Sequence, residues 1–287
     1  MAQTQLLNRR IRSVKNAKQI TKAMEVVAAS RMRRVQEAAG KARTYGQLAD
    51  SIVRQISGTQ DAKHHPYFRP NQTAGKLYII FSSDRGLAGA FNSNVFNNSV
   101  HSIHEAKQQG HSSSVIVFGR KGARFFSRIK EMTLLGEYEN VADKPEVNVF
   151  APAIDSISRG FIEGQFDTVN IIYTEFVSTL SQVVRNLQLL PVPPVPDPEA
   201  PKITYEMEPT NEAVLVEAIK LYLEAQLMRA KVDSSASEYA MRMMAMNSAN
   251  RNASDLIDHL TLELNASRQA SITQEMAEIT GGANAVT

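Results

Sequence analysis

The sequence contains no cysteine and no tryptophan among its 287 residues. The missing cysteines exclude disulfides, thiolate catalysis and cysteine-ligated zinc or iron–sulfur centres. No apolar run approaches the roughly 18 residues that a membrane-spanning helix needs, and the N-terminal stretch has no apolar core like that of a secretory signal. Hydrophobic residues make up 43% of the chain, which excludes general disorder. We therefore expect a folded, soluble, intracellular protein.

Proline is also absent from residues 3–57, where the only glycines are Gly40 and Gly46. Apolar side chains in this segment alternate spacings of three and four residues, the heptad pattern of a helix that packs against another helix. The pattern predicts one long helix that ends before Gly58. Its seam consists of Val35, Ala38, Ala42, Tyr45, Ala49, Ile52 and Ile56, with Leu7, Ile11 and Val14 in the same frame further back.

Residues 210–280 lack both proline and glycine. Thr210 or Asn211 is a suitable cap for a helix that starts there, because short polar side chains accept hydrogen bonds from the first backbone N–H groups. A stretch of this length without a helix breaker predicts a second long helix in a coiled coil. Its apolar stripes are Ile219, Leu223, Leu227 and Ala230, then Ile257, Leu260 and Leu264, then Ile272, Met276 and Ile279.

The middle of the chain has a different pattern, in which short apolar runs alternate with helical segments. This alternation predicts a small Rossmann-like α/β domain with a mainly parallel sheet, whose last strand is added by a hairpin. The expected strands are 76–81, 113–119, 168–176 and 183–192, and the expected helices are 92–110, with Asn92 as cap, 120–130 and one within 145–164. The predicted division is a helix at 1–58, an α/β domain at 75–192, a proline-rich linker or foot at 193–209, and a helix at 210–287.

Charge is distributed unevenly. Residues 1–60 carry 12 basic and 3 acidic side chains, residues 61–205 carry 14 of each, and residues 206–287 carry 6 basic and 12 acidic ones. Because both long helices join the α/β domain at one end, we expect them to pack antiparallel, with residue i near residue 267−i. This register predicts the pairs Arg9 with Asp258, Arg12 with Asp255, and Glu25 with Arg242.

The two long helices differ in length. About 57 residues span roughly 85 Å and about 75 residues span roughly 110 Å, so the second helix extends past the first from near Arg268. The extension carries the apolar stripe Ile272, Met276 and Ile279. A lone helix does not bury such a stripe, so we expect it either to fray or to enter a socket in another protein.

One loop lies where α/β domains bind phosphate. SSDRGLAGAFN (82–92) follows a strand and opens a helix, but its Gly86-x-x-Gly89 spacing matches neither a dinucleotide fingerprint nor a P-loop. The spacing favours a structural loop in which Asp84 and Arg85 cap the helix and pair locally. No metalloprotease, serine hydrolase or calcium-loop motif occurs. We therefore predict no catalytic residue, no cofactor site and no metal site.

Two alternatives remain open at this level. The loop at Gly86 could make the chain a nucleotide-binding α/β enzyme or adaptor with a coiled-coil arm. The basic residues between Arg9 and Arg34 could bind nucleic acid. The acidic second helix and the lack of interleaved aromatic residues argue against nucleic acid.

Three segments resemble signature stretches of the gamma-subunit family of rotary F-type ATP synthases. They are RSVKNAKQITKAMEVVAASRMRRVQ (12–36), SSDRGLAGAFN (82–92) and RNASDLIDHLTLELNASRQASITQEMAEITGGANA (251–285). The resemblance implies a non-catalytic central rotor that passes torque from the membrane c-ring to the catalytic beta subunits, and so couples proton flow to ATP synthesis. It implies three alpha and three beta subunits, the epsilon subunit and the c-ring as partners, with no cofactor and no direct membrane span. It also implies a peripheral place on the cytoplasmic face of a bacterial plasma membrane.

The same resemblance implies contact residues. Those expected to face the alpha/beta ring are Lys18, Lys22, Met24, Arg31, Arg33, Arg34, Arg268, Gln269, Ile272, Thr273, Met276 and Ile279. Those expected at the foot, towards epsilon and the c-ring, are Tyr205, Glu206 and Glu208. Ala90 departs from the family pattern, which often has glycine there, so the backbone conformation at this position is open to differ from that of the family.

Overall fold

The structure is a computed structural model that describes residues 2–57, 62, 64–71, 73–145, 147–193 and 210–286. Contact density divides the chain into two compact units. Residues 1–28 and 242–287 form the helical unit, and residues 29–241 form the sheet unit. The elements, in chain order, are α1 (Ala2–Ser57), β1 (Gly75–Phe81), α2 (Phe91–Gln108), β2 (Ser112–Phe118), α3 (Arg120–Phe126), β3 (Thr133–Tyr138), α4 (Ala151–Ile162), β4 (Thr168–Phe176), β5 (Gln182–Leu190) and α5 (Asn211–Val286).

The sheet has the strand order β3-β2-β1-β4-β5. The pairs β1–β2, β1–β4 and β2–β3 are parallel, and β5 is added antiparallel to β4. This is the predicted Rossmann-like arrangement, including its terminal hairpin. β3 was not predicted, because its six residues form an edge strand in which exposed and half-exposed positions alternate. Such a strand gives no apolar run that would mark it in the sequence.

The two faces of the sheet carry separate apolar cores, because successive strand residues point to opposite sides. Leu77, Ile79 and Phe81 of β1 belong to a core that is shared with α4 and with the first part of α5. Tyr78 and Ile80 belong to the other core, with α2 and α3. The α5 stripe predicted from sequence lies in the first core, which contains Val53, Ile157, Phe161, Ile219, Leu223, Leu227 and Ala230. The long helices of the sheet unit therefore pack directly on the sheet.

The buried seam of α1 in the sheet unit keeps the heptad spacing but differs from the prediction at three positions. Ala39, Gly46 and Val53 are buried where Ala38, Tyr45 and Ile52 were expected, and Tyr45 and Ile52 are exposed. At Gly46 an added Cβ would lie 3.3 Å from Cδ of Arg229 on α5. The absence of a side chain there lets the two helices approach closely, and this selects the stripe on which Gly46 lies.

In the helical unit, α1 and α5 pack through a small apolar cluster. Leu7 and Ile11 are buried against Leu260, and Val14 and Leu264 flank them. Leu7 and Leu260 therefore share one cluster, as the predicted antiparallel register requires. Among the described residues, no helix has an apolar segment sufficient to cross a bilayer.

The start of α5 follows the prediction. Thr210 Oγ1 accepts a hydrogen bond from the backbone N–H of Ala213 at 3.3 Å, so Thr210 is the cap. The start of α2 does not follow it. Ala90 takes the N-cap position without a side-chain cap bond, and its φ of −84° is open to any residue. The replacement of glycine by Ala90 therefore places no strain on the backbone.

Candidate partner-contact surfaces

In the helical unit, the predicted contact residue Lys22 of α1 pairs with the half-buried carboxylate of Glu25. Lys22 Nζ lies 3.2 Å from Glu25 Oε1, and Asn247 Nδ2 on α5 donates to the same oxygen at 3.1 Å. The hydrogen bond from Asn247 holds the pKa of Glu25 below its ordinary value, and Lys22 adds to this against the opposing effect of burial. Lys18 and Met24, which are also on α1 in this unit, are half-buried.

The predicted charge pairs between the helices are corrected by this arrangement. The partner of Glu25 on α5 is Asn247, which lies five residues, or about one and a half helical turns, beyond the predicted Arg242 and reaches the carboxylate with a neutral amide. Lys22 of α1 binds the same carboxylate. The ion pairs found among the described residues of this unit do not include Arg9 with Asp258 or Arg12 with Asp255. Exposed pairs of this kind contribute little energy, so packing decides the register.

Three exposed apolar residues of α1 lie in the stretch that holds the predicted contact residues of the helical unit. They are Ile20, Val26 and Val27. These three residues were not among the predicted partner contacts. The available signal was their position off the heptad seam in an otherwise basic stretch. Exposed apolar groups next to basic ones are typical of a protein–protein contact.

Three predicted contact arginines lie on α1 in the sheet unit, and all three are exposed: Arg31, Arg33 and Arg34. Arg31 also contacts Tyr239 on α5. Its Nη1 donates to Tyr239 Oη at 3.2 Å, and its guanidinium lies 5.8 Å from the centre of that ring. Tyr239 Oη in turn donates to Asp143 Oδ2 at 2.7 Å. Burial raises the pKa of Tyr239 to about 12, so the phenol remains protonated at neutral pH. Arg31 is therefore anchored to α5.

The last part of α5 presents apolar side chains to solvent. Ile272, Met276 and Ile279, which we call the tip stripe, are 47%, 64% and 73% exposed. Arg268, Gln269 and Thr273 are exposed beside the stripe, and Thr273 Oγ1 donates only to the carbonyl of Gln269 one turn earlier. The predicted contact residues in this segment thus lie together on the surface. The predicted foot residues Tyr205, Glu206 and Glu208 lie outside the described residues.

The loop between β1 and α2 is held by its own side chains. Ser82 Oγ donates to the carbonyl of Phe118 at 3.1 Å and accepts from the N–H of Gly122 at 2.9 Å. Asn92 is not a cap. Its amide instead bonds with the N–H of Ser83 at 3.1 Å and with the Ser83 hydroxyl at 2.7 Å. These contacts favour the structural interpretation of the loop.

Asp84 is also used differently from the prediction. Rather than capping α2, its Oδ1 accepts from the N–H of Arg120 at 3.0 Å and from that of Asn140 at 3.2 Å. The carboxylate therefore fixes the start of α3 and the end of β3. The sequence offered no signal for this contact, because the partners lie 36 and 56 residues away.

A buried charged group on α5 was also missed. Asp233 is 1% exposed, and it lies 3.6 Å from Nη2 of Arg43 and 3.8 Å from Nε of Arg229. The sequence signal was an Asp-Ser-Ser-Ala-Ser run that interrupts the apolar stripe after Ala230. Burial raises the pKa of Asp233 to about 6, against the lowering effect of the two arginines.

Replacing Asp233 with asparagine tests the cost of this burial. The folded pKa of about 6 exceeds the ordinary 3.8, so the wild type loses stability as the pH rises from about 4 through about 6. Relative to Asp233→Asn, its free energy of unfolding should fall by ~3 kcal/mol over this range and then stay constant. Urea unfolding at several pH values measures the difference, and exposed Asp155→Asn is the control. A constant difference across the range would contradict the expectation. The groups that face Asp233 are Arg43, Arg229, Glu175 and Tyr173.

Comparison with known proteins defines the class of this chain. A family model described as ATP synthase matches residues 3–286, so the chain belongs to the ATP synthase family. The ATP synthase gamma chain of Pelotomaculum thermopropionicum is 37% identical over 281 residues, which cover 98% of each chain. The ATP synthase gamma chain of Desulforamulus reducens is 36% identical over 287 residues, which cover 100% of each chain. These full-length matches place the chain with the gamma chains of that family.

Solved structures share the fold. A chain of the central stalk and c-ring of the Tetrahymena thermophila mitochondrial ATP synthase matches 80% of this chain and 99% of its own length, with a TM-score of 0.62 and 24% identity. A chain of the Euglena gracilis mitochondrial ATP synthase rotor matches 94% of this chain and 99% of its own length, with a TM-score of 0.67 and 18% identity. The combination of long terminal helices and a Rossmann-like sheet therefore recurs in rotor chains of low sequence similarity.

Proposed function

We propose that this chain is the central rotor shaft of a proton-translocating F-type ATP synthase. In this role it transmits torque from the membrane c-ring to the catalytic beta subunits, and so couples proton flow to ATP synthesis or hydrolysis and regulates it. Its partners are then three alpha and three beta subunits, the epsilon subunit and the c-ring. The observation that carries the proposal is the exposed tip stripe of Ile272, Met276 and Ile279 in a chain of the ATP synthase family.

The tip stripe suits a rotating contact. Apolar burial is non-directional, so a helix end turning inside an apolar socket need not break and remake individual bonds. Arg268, Gln269 and Thr273 lie beside the stripe and supply polar groups for contacts that favour particular angles. Exposed Arg33 and Arg34 on α1 offer charge to moving acidic loops of the beta subunits.

In this assignment the chain itself is non-catalytic. The polar side chains of the loop at residues 82–92 bind neighbouring backbone, and ATP is made and split on the beta subunits. The place of the complex is peripheral, on the cytoplasmic face of a bacterial plasma membrane. The bacterial relatives support this location.

The test is replacement of the gamma subunit in a bacterial host that lacks its own. The tagged chain should recover alpha, beta and epsilon subunits and the c-ring, and membrane vesicles should regain ATP-driven proton pumping. Recovery of the chain alone, without pumping, would reject the proposal. Calorimetric titration of the isolated chain with ATP and a gel shift with duplex DNA at physiological salt serve as controls, since stoichiometric binding in either one would indicate an enzyme or a nucleic-acid adaptor instead.

A further inference from the structure

The end of β4 extends beyond its neighbour in the sheet. β1 pairs with β4 only as far as Ile172, whereas β4 continues to Phe176 and remains paired with β5 on its other side. Residues 174–176 therefore have one edge that no strand covers. Backbone N–H and C=O groups on such an edge need other partners when they are buried.

Side chains of the two long helices supply those partners. Ser234 Oγ accepts from the N–H of Thr174 at 3.2 Å, and Ser237 Oγ donates to the carbonyl of Thr174 at 3.2 Å. Arg43 Nη2 on α1 donates to the carbonyl of Phe176 at 3.3 Å. Two hydroxyls and a guanidinium thus occupy the positions that the backbone of a further strand would fill.

Charged groups extend this contact across four elements. Asp233 lies between Arg43 of α1 and Arg229 of α5, at 3.6 Å and 3.8 Å. Arg229 Nη2 is 3.7 Å from Glu175 Oε1 on β4, and Arg185 Nε on β5 donates to Glu175 Oε2 at 2.8 Å. We call the side chains of Arg43, Arg229, Asp233, Ser234 and Ser237, together with residues 174–176, the β4 joint.

The chemistry of the β4 joint differs from that of the surrounding core. The apolar contacts between α5 and the sheet, such as those of Leu223 and Leu227, oppose separation but do not fix direction. The hydrogen bonds that Arg43, Ser234 and Ser237 make with the β4 backbone are directional, so they resist sliding and twisting. Buried charges also gain little net stability once their desolvation is counted. We therefore expect the joint to fix the orientation of these elements and to add little to the free energy of unfolding.

We propose that the β4 joint is the positioning element that keeps the sheet and the two long helices in one orientation while the chain carries torque. The inference rests on the proposed rotor function, since torque enters through one part of such a chain and leaves through another. Arg43 and Asp233 are its central positioning residues. The joint remains closed at every angle of rotation.

The absence of cysteine allows a direct test, because an engineered pair gives one defined disulfide. Thr174→Cys with Ser237→Cys places one cysteine on each side of the joint, where Ser237 Oγ lies 3.2 Å from the carbonyl oxygen of Thr174, and thiol titration after oxidation measures the fraction that is bridged. The wild-type chain in the same host shows separately whether the rotor function holds. The reduced pair loses only the hydrogen bond from the Ser237 hydroxyl, whereas Arg43, Asp233 and Ser234 still hold the joint. Proton pumping per ATP hydrolysed should therefore differ less than about twofold between the oxidised and reduced forms. Loss of turnover on oxidation, with recovery on reduction, would mean that the joint opens and would overturn the proposal.

Loosening the joint completes the test. Arg43→Gln and Asp233→Asn, added to the cysteine pair, should lower pumping per ATP hydrolysed by about threefold or more in the reduced form, and oxidation should restore it. Because a disulfide also stabilises the folded chain by about 2–4 kcal/mol, urea unfolding of the reduced form is measured beside the pumping and should match that of the reduced cysteine pair alone. Unfolding of the reduced form, failure of rescue, or unchanged coupling in the reduced form overturns the proposal. The control is Arg120→Gln with Glu139→Gln, which removes a more exposed ion pair of 2.9 Å elsewhere in the same unit and should leave the coupling unchanged.

Discussion

Met276→Asp with Ile279→Asp is expected to reduce ATP-driven proton pumping at least tenfold in the assembled enzyme. Each apolar side chain buried in a partner contributes ~1.5–3 kcal/mol, and every ~1.4 kcal/mol is a factor of ten in affinity. Two carboxylates in an apolar socket would add a desolvation cost. The measurements are pumping in membrane vesicles and the amount of complex recovered with a tagged chain.

The sheet unit offers a matched control for this experiment. Val177 and Leu180 are 57% and 80% exposed and lie in the hairpin between β4 and β5. Val177→Asp with Leu180→Asp adds the same charge at equally exposed apolar positions, and pumping should stay within about twofold of the wild type. Equal losses in both variants, or none in the tip variant, would show that the tip stripe has no specific socket.

Phe118→Ala is expected to destabilise the sheet unit by about 3–5 kcal/mol. Phe118 is buried at the end of β2, with ring-centre distances of 4.7 Å to Phe81, 4.9 Å to Tyr138 and 5.5 Å to Phe150. Removing the ring leaves a cavity among rigid aromatic side chains that have little freedom to fill it. Urea unfolding followed by tyrosine fluorescence, in a chain without tryptophan, measures the loss.

The control for this cavity is a more exposed phenylalanine of the same unit. Phe125 on α3 stacks on Phe96 at 4.5 Å but is partly exposed to solvent. Phe125→Ala should therefore cost only about 1 kcal/mol. A loss below that value for Phe118→Ala would mean that the aromatic cluster collapses into the space.

Much of the fold follows from patterns that act over short distances in the sequence. The heptad spacing of α1, the cap at Thr210 and the buried parallel strands depend on neighbouring residues, and the sequence predicts them. Which of two adjacent stripes on α1 becomes buried depends on the helix that packs against it. The buried seam runs through Gly46 because Arg229 lies against it, and spacing alone does not reveal that.

The candidate contact surfaces likewise include features that the sequence predicts and features that it does not. The tip stripe was predictable, because an apolar stripe on an unpartnered helix end is visible in the sequence. The β4 joint was not predictable, because it depends on how far β4 extends past the end of its pairing with β1. That length is a property of the assembled sheet. The pairing of Glu25 with Asn247 was missed for a related reason, since charge balance favours an arginine partner where the packed helices present an amide.

The contact between Glu25 and Asn247 has a consequence for biosynthesis. The two residues are 222 positions apart, and the apolar cluster of Leu7, Ile11 and Leu260 joins segments just as distant. Residues 2–28 leave the ribosome early and have no helical partner until residues 242 onward have been translated. Ordering of this unit must therefore be a late and slow event. A nascent chain that stops before residue 242 would leave Leu7 and Ile11 of its first helix without Leu260, the side chain that they are buried against.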